Sequence, residues 1–369
     1  MIKRYILENK NKWIWIALGL IAIIVRVLLS QSPKLIERYY SRGFFIGIRY
    51  FLDTTLGWFP LPFVQVLLVG ILIYFVYKVS NIIRFHETFL DSFKRFSLGI
   101  ISFCFGVIFF FLVLWGFNYG RVPLEDSIQL TPTPLTLNEL KAELKINTQE
   151  VVTARQFIPN ITDSAIQNYF LPLELESKVR DDLVKLLNEL DFPTPGKVRG
   201  RQLKPKGILL RFSTAGVYFP WTGESNIDAG LHPIQIPFTM AHEFAHGYGF
   251  TDEGTCNFLA YLSCIRSDNP FFQYSGHLSY WRYLASFYRR NDRTGYKDYF
   301  KTLPDGMVKD LYSINDNSNK YPDVLPSWRN ALYDTYLKTQ GIPEGVLSYN
   351  RIVMLVKSWR EKQRLIPFE

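Results

Sequence analysis

The chain has 369 residues, 48% of them hydrophobic and 16% aromatic, which is enough to bury one or two sizeable cores and too apolar for a disordered protein. Three cysteines exclude a disulfide-stapled scaffold and a four-cysteine metal finger. The net charge of +9 is unevenly placed: residues 1–118 carry 13 Lys/Arg against 5 Asp/Glu, whereas the rest carry 29 against 28. The larger part has no excess of basic charge for a phosphate backbone, so nucleic acid is not expected as a partner.

Three apolar stretches dominate the basic first third. Trp13 to Ser30 contains one charge, Arg26, near its end; Thr54 to Tyr77 and Phe96 to Gly120 contain none. A bilayer core about 30 Å thick takes roughly 20 apolar residues at helical rise, so each stretch predicts a transmembrane helix, with Arg26 snorkelling toward the headgroups. No small-x-small cleavage site follows the first stretch, which argues against a removed signal peptide. Lys3, Arg4, Lys10 and Lys12 precede the first span, and Lys78, Arg84, Lys94 and Arg95 lie between the second and third. Basic residues favour the cytoplasmic side, which places the N-terminus inside and the large C-terminal part outside, in the periplasm of a two-membrane bacterium. The first loop also holds four basic residues, Lys34, Arg38, Arg42 and Arg49, spread over a longer segment. Within it, the apolar and aromatic run Phe44–Phe51 is expected to lie flat on the membrane surface.

After the third span the chain turns polar. Ile128–Leu135 reads as an extended linker, because each proline restricts the residue before it. Thr136 and Glu139 match a capping box and predict a helix over about 137–154. A second amphipathic helix is predicted over about 173–190, stopped at Phe192-Pro193. Gly207–Phe219 is rich in strand formers, with Ile208–Leu210 and Val217–Phe219, and reads as one or two strands or a hairpin that could pair with an extended peptide. From Phe238 onward the pattern is almost wholly helical.

The chemistry lies at Pro237-Phe-Thr-Met-Ala-His-Glu-Phe-Ala-His-Gly247, which contains an H-E-x-x-H. Histidines four apart share one face of a helix, so His242 and His246 can both reach one Zn²⁺. Glu243 beside that face can take a proton from zinc-bound water. Pro237 suits a helix start, and Gly247 with Gly249 suits its end. A third ligand is expected from Thr251-Asp-Glu-Gly-Thr-Cys-Asn257, where a new helix should start with Thr251 as N-cap. Glu253 is the favoured ligand because it shares a face with Asn257, which would support it from behind. Asp252 is the competitor: it completes an H-E-x-x-H-x-x-G-x-x-D spacing with Gly249.

These residues carry a resemblance. Gly216–Glu224, Pro237–His246, Asp252–Tyr261 and Tyr274–Gly276, and more weakly Gly345–Arg351, are similar to a bacterial family known only as a domain of unknown function. Its members have N-terminal membrane spans and a zinc-peptidase-like domain of the gluzincin type. Many carry a second Glu where this chain has Thr255. The resemblance implies an α+β chain, mainly α with a small β element. A membrane domain over 1–120, with helices near 13–30, 56–77 and 97–118, would precede a zincin-like metallopeptidase domain over 121–369.

The resulting expectation is a membrane-anchored zinc metallopeptidase of the inner membrane acting on a peptide or protein substrate. His242, His246 and Glu253 hold the metal and Glu243 is the catalytic base. Tyr349 is the candidate for stabilising the oxyanion, with His277 behind it. His232, next to a proline, reads as a loop histidine. Cys256 and Cys264 are about 12 Å apart along one helix, too far for a disulfide, and read as buried apolar residues. Trp281, Tyr283, Phe287 and Tyr288 recur at helical spacing and read as core. Two rival readings are a non-catalytic zinc-binding scaffold or sensor of the envelope, and a zinc amidase acting on cell-wall peptides.

Overall fold

A computed structural model describes residues 9–84, 89–324 and 351–365, with isolated positions between 331 and 339. The protein is mainly helical, with 70% helix and 4% strand. Its contacts divide it into two compact units: residues 1–122 with 219–223, and residues 123–218 with 224–369. No sequence signal announces that 219–223 groups with the first unit.

Among the described residues of the first unit, three helices are long and apolar enough to cross a membrane, over Lys10–Leu29, Phe63–Ser80 and Phe93–Leu114. They belong to α1 (Lys10–Leu29), α4 (Phe63–Arg84) and α5 (Phe89–Leu114). α1 packs along α5 through aromatic contacts such as Trp15 with Phe110, ring centres 5.5 Å apart. The second span starts later than expected. The helix before it ends at Leu56 and α4 begins at Phe63, because Pro60 and Pro62 lack the N–H groups that a continuing helix needs. The third ends earlier, and Gly116–Gly120 forms a 3-10 turn. Between α1 and α4 lie the short α2 (Pro33–Leu35), a π-helical stretch Ile36–Phe44, and α3 (Phe45–Leu56).

The second unit opens with the short α6 (Leu124–Ser127) and then α7 (Leu137–Gln156). The capping box is present: Glu139 N–H donates to Thr136 Oγ1, and Thr136 N–H donates to the Glu139 carboxylate. α8 (Leu175–Glu189) turns Val179, Leu183, Leu186 and Leu187 inward, the i, i+3, i+4 stripe its sequence spells. A three-stranded sheet follows in the order β1-β3-β2, from β1 (Arg199–Leu203), β2 (Gly216–Phe219) and β3 (Glu224–Asp228). β1 runs parallel to β3, with Arg199 opposite Glu224 and Leu203 opposite Asp228.

Among the described residues, the further helices of the unit are α9 (Ile236–Gly247), α10 (Glu253–Ile265), α11 (Pro270–Asn291), α12 (Arg293–Phe300), α13 (Asp305–Asn319) and α14 (Arg351–Leu365). α10 is buried all round from Glu253 to Cys264, with α9, α11, α8 and α14 packed about it. A helix buried on every side belongs in the middle of a core, and α10 supplies Phe258, Leu259 and Leu262 to it, with Glu253 and Asn257 on the side facing α9. α9 lies between α10 and β3, and Ser225 Oγ donates to the Glu243 carbonyl at 2.7 Å.

The strand reading of Gly207–Phe219 holds only for its second half. Ile208–Leu210 is not a strand: the N–H groups of Gly207, Leu209 and Leu210 all donate to the Asp228 carboxylate at 2.7–3.1 Å, and donors so engaged cannot join a ladder. β1 and β3 carry no strand pattern in sequence, because Arg199–Leu203 and Glu224–Asp228 are polar and charged. Arg199 and Glu224 are both buried there, paired at 2.7 Å across neighbouring strands.

Candidate metal centre

α9 places His242 and His246 one turn apart. Their Nε2 atoms lie 3.1 Å from each other. Glu253, first residue of α10, brings Oε2 to 3.1 Å from His242 Nε2 and 3.6 Å from His246 Nε2. A tetrahedral ion with bonds of about 2.0–2.1 Å sets its ligands about 3.3–3.4 Å apart, and the three separations bracket that edge. Among the described residues this is the one group of three His, Cys, Asp or Glu that could hold a metal ion.

The backs of the imidazoles decide which nitrogen faces the centre. His242 Nδ1–H donates to Asn257 Oδ1 at 2.9 Å, and His246 Nδ1–H donates to the Phe250 carbonyl at 2.8 Å. Each Nε2 is thereby left with its lone pair turned to Glu253. Gly249 sets up the second of these contacts: its φ of 89° reverses the chain after α9, and Phe250 N–H returns to the Ala245 carbonyl at 3.1 Å. Two imidazole lone pairs and a carboxylate oxygen converging within a buried space repel one another unless a cation or a proton lies between them. The donor set, two nitrogens and one oxygen, suits a zinc ion with a fourth position open.

The titration behaviour has the same cause. Burial opposes ionisation of Glu253, but the facing imidazoles outweigh it and hold the carboxyl far below its usual range. Burial also opposes charging His246, yet its neighbours raise it well above an ordinary imidazole. Cys256 Sγ stands 3.4 Å from His246 Nδ1, but burial pushes this thiol up to about 11, so it is neutral at pH 7 and Glu253 carries the effect. The spot attracts positive charge.

Glu243 lies next to this group, 5% exposed, on the side facing the sheet. Tyr218 N–H of β2 donates to its carboxylate, and Oε2 has no hydrogen-bond partner among the described residues. Burial pushes the group up to about 6. Two carboxylates ten positions apart in sequence thus have opposite tendencies, one held ionised and one inclined to carry a proton.

The other candidates divide. Asp252 is not in the cluster. It is the N-cap of α10, in place of the expected Thr251: its Oδ1 accepts from Thr255 N–H at 2.7 Å, and Oδ2 lies 3.6 Å from Arg351. Asn257 stands behind His242, one turn along α10 from Glu253. His277 is apart from the group, 3.5 Å from Glu150 and 3.4 Å from Asn147. Tyr349 lies outside the described residues. His232 caps the turn at Pro233, and its Nε2 is 2.9 Å from Ser313 Oγ. Its Nδ1 accepts from Ile234 N–H, so Nε2 carries the hydrogen and donates to Ser313, the reverse of what activating a serine nucleophile needs.

Three neighbours of the site escaped the sequence reading. Gly216 and Tyr218 contact Glu243 from β2, and the only local sign was a glycine at the start of a strand pattern. Tyr283, read as core, sets its hydroxyl beside Asn257 and near Glu253. Nothing in helical spacing separates it from the other α11 aromatics.

No match was found among curated proteins or among solved structures. A family model described as "Protein of unknown function (DUF3810)" matches residues 40–357, which takes in the second and third apolar helices, the sheet and the histidine pair. The chain belongs to the DUF3810 family.

Proposed function

We propose that the protein is a membrane-anchored zinc metallopeptidase with a zincin-like domain, cutting peptide bonds at the His242–His246–Glu253 centre. The observation that carries this reading is the near-tetrahedral spacing of His242 Nε2, His246 Nε2 and Glu253 Oε2. Support also comes from Glu243, whose buried Oε2 has no hydrogen-bond partner among the described residues. A bound zinc ion would supply a Lewis acid that polarises a scissile carbonyl and acidifies water.

Around it the residues have separate tasks. His242, His246 and Glu253 would hold the ion. Asn257 and the Phe250 carbonyl fix the imidazole orientation. Glu243 takes the proton of the attacking water and passes it to the leaving nitrogen. Peptide hydrolysis is favoured over a purely structural site because a structural zinc has four protein ligands, and three are present among the described residues. The three apolar helices anchor the chain in the bacterial inner membrane. The basic residues before the first span and between the second and third favour an N-terminus in the cytoplasm and the second unit in the periplasm.

The test uses the full chain in detergent. Elemental mass spectrometry is expected to find about one zinc per wild-type or Asp252→Asn chain, and little in His246→Ala or Glu253→Gln. Glu243→Gln should keep the metal and lose hydrolysis of a peptide library. A wild-type chain that holds no metal after zinc is added back would defeat the proposal. Full metal with no hydrolysis of proteins, peptides or muropeptides would leave a scaffold or sensor.

A further inference from the structure

The segment between the first two apolar helices is built as a two-faced helix. Ile36, Tyr40, Phe45, Arg49 and Leu52 turn inward and are buried. Tyr39, Phe44, Tyr50 and Phe51 turn outward, with Phe44 58% and Phe51 63% exposed. The π-helical stretch Ile36–Phe44 adds the residue that carries this division from Tyr40 to Phe45. Single exposed apolar side chains are ordinary, but large aromatics along one helix face are not.

The inward face is held at the end of α5 through Glu37 and Tyr40, and farther along by Arg49, whose Nη1 donates to the Gly223 carbonyl at 2.8 Å. Tyr40 OH donates to the Val113 carbonyl at 2.9 Å, at the last turn of α5, where helix carbonyls lack intrahelical partners. The Tyr40 ring stands edge-on to Phe117 at 5.3 Å. Glu37 accepts from Arg42 at 3.0 Å and from Arg121 at 2.8 Å, which ties the segment to the residues just after α5. The inward Arg49 is paired with Asp53 at 2.5 Å. The two remaining basic residues, Lys34 and Arg38, are exposed, and Arg38 lies over the Tyr39 ring at 5.3 Å.

If α1, α4 and α5 cross the bilayer, their chain directions alternate. The end of α1, the start of α4 and the end of α5 then share one membrane face. A helix fastened to those ends lies at that face, and aromatic side chains turned outward there meet the boundary between headgroups and acyl chains. We infer that residues 33–56 form an interfacial helix that inserts Tyr39, Phe44 and Phe51 into this boundary, with Lys34 and Arg38 on anionic lipid phosphates. The inference rests on the membrane-spanning reading of the three helices and is independent of the metal centre.

The experiment places nitroxide labels at Phe44→Cys and Phe51→Cys in the full chain with Cys104→Ser, in phosphatidylglycerol-containing nanodiscs. Controls are Leu72→Cys, on α4, and Tyr312→Cys, on the exposed surface of α13. Oxygen should relax labels 44 and 51 more than a water-soluble nickel chelate does, at a depth shallower than label 72, while label 312 prefers nickel. Lys34→Glu with Arg38→Glu should draw label 44 toward the aqueous side. Nickel preference at 44 and 51, with oxygen preference at 72, would overturn the interfacial helix and leave the spans intact. Protection of 44 and 51 from both reagents would mean that a second protein copy or partner covers this face, which also overturns it. Nickel preference at 72 would overturn the membrane reading itself.

Discussion

Gly216 and Glu243 touch so closely that a Cβ at position 216 would lie 2.7 Å from the Glu243 carboxylate and 2.9 Å from the Asn226 carbonyl. The edge strand is therefore pressed onto the proposed catalytic base, and only a residue without a side chain fits there. Gly216→Ala should push the carboxylate off its position while leaving His242, His246 and Glu253 untouched. The expected result is normal zinc content with peptide hydrolysis lowered about 100-fold, the scale of a 1 Å misplacement. Wild-type turnover in this variant would show that the contact does not position the base.

Asn257 would act on the proposed metal through His242. Asn257→Ala removes the acceptor for His242 Nδ1–H, so the ring can turn or change tautomer. Zinc affinity should fall about 10- to 100-fold, measured by competition with a chromogenic chelator. Asn257→Asp keeps an acceptor and should recover most of it. Equal loss in both variants would point to a packing defect instead.

Acid stability should depend on His232. Burial pushes this imidazole down to about 4, below its ordinary value of 6.5. A folded-state pKa lowered in this way favours the neutral ring, so its contribution is complete above pH 6.5 and is lost as pH falls toward 4. Over that window wild type should lose about 2 kcal/mol more stability than His232→Asn, which keeps an N-cap acceptor, after allowing for partial solvent screening. Thermal melts at pH 7.5 and 4.5 would measure this, and parallel losses in both proteins would exclude the histidine as the cause.

Asp310 is a separate, structural, test. It is fully buried and accepts from Arg155 Nε at 2.8 Å, Tyr274 OH at 2.7 Å and Ile166 N–H at 2.7 Å. Asp310→Ala strands the Arg155 charge and should cost about 3–5 kcal/mol. Chemical denaturation of the full chain should show this loss with zinc content retained in the folded fraction. A change below about 1 kcal/mol would mean that solvent reaches Arg155.

Much of the scaffold was legible because it depends on local patterns. Apolar runs marked the three long helices of the first third, a Thr136/Glu139 pair marked the start of α7, and four-residue spacing put His242 and His246 on one face. These are properties of the chain over one or two turns. Local pattern and structure part where distant groups intervene. Ile208–Leu210 has strand-forming side chains, yet its backbone donors are taken by Asp228, some twenty residues on. Arg199 and Glu224 look like surface charges until they pair inside the sheet.

The candidate site divides in the same way. The sequence by itself determined that two histidines and a glutamate share one helix, that acids follow after a glycine turn, and that Asn257 stands one turn beyond Glu253. Only the tertiary structure decided which acid stands with the histidines. Asp252 and Glu253 are neighbours, and starting α10 at Glu253 turns one side chain back to cap the helix and the other inward to 3.1 Å from His242. Adjacent side chains on a helix point about 100° apart, so a boundary error of one residue would exchange their roles. The approach of β2 to Glu243 is likewise a matter of packing. It depends on how a sheet and a helix far apart in local character come together, which no window of sequence contains.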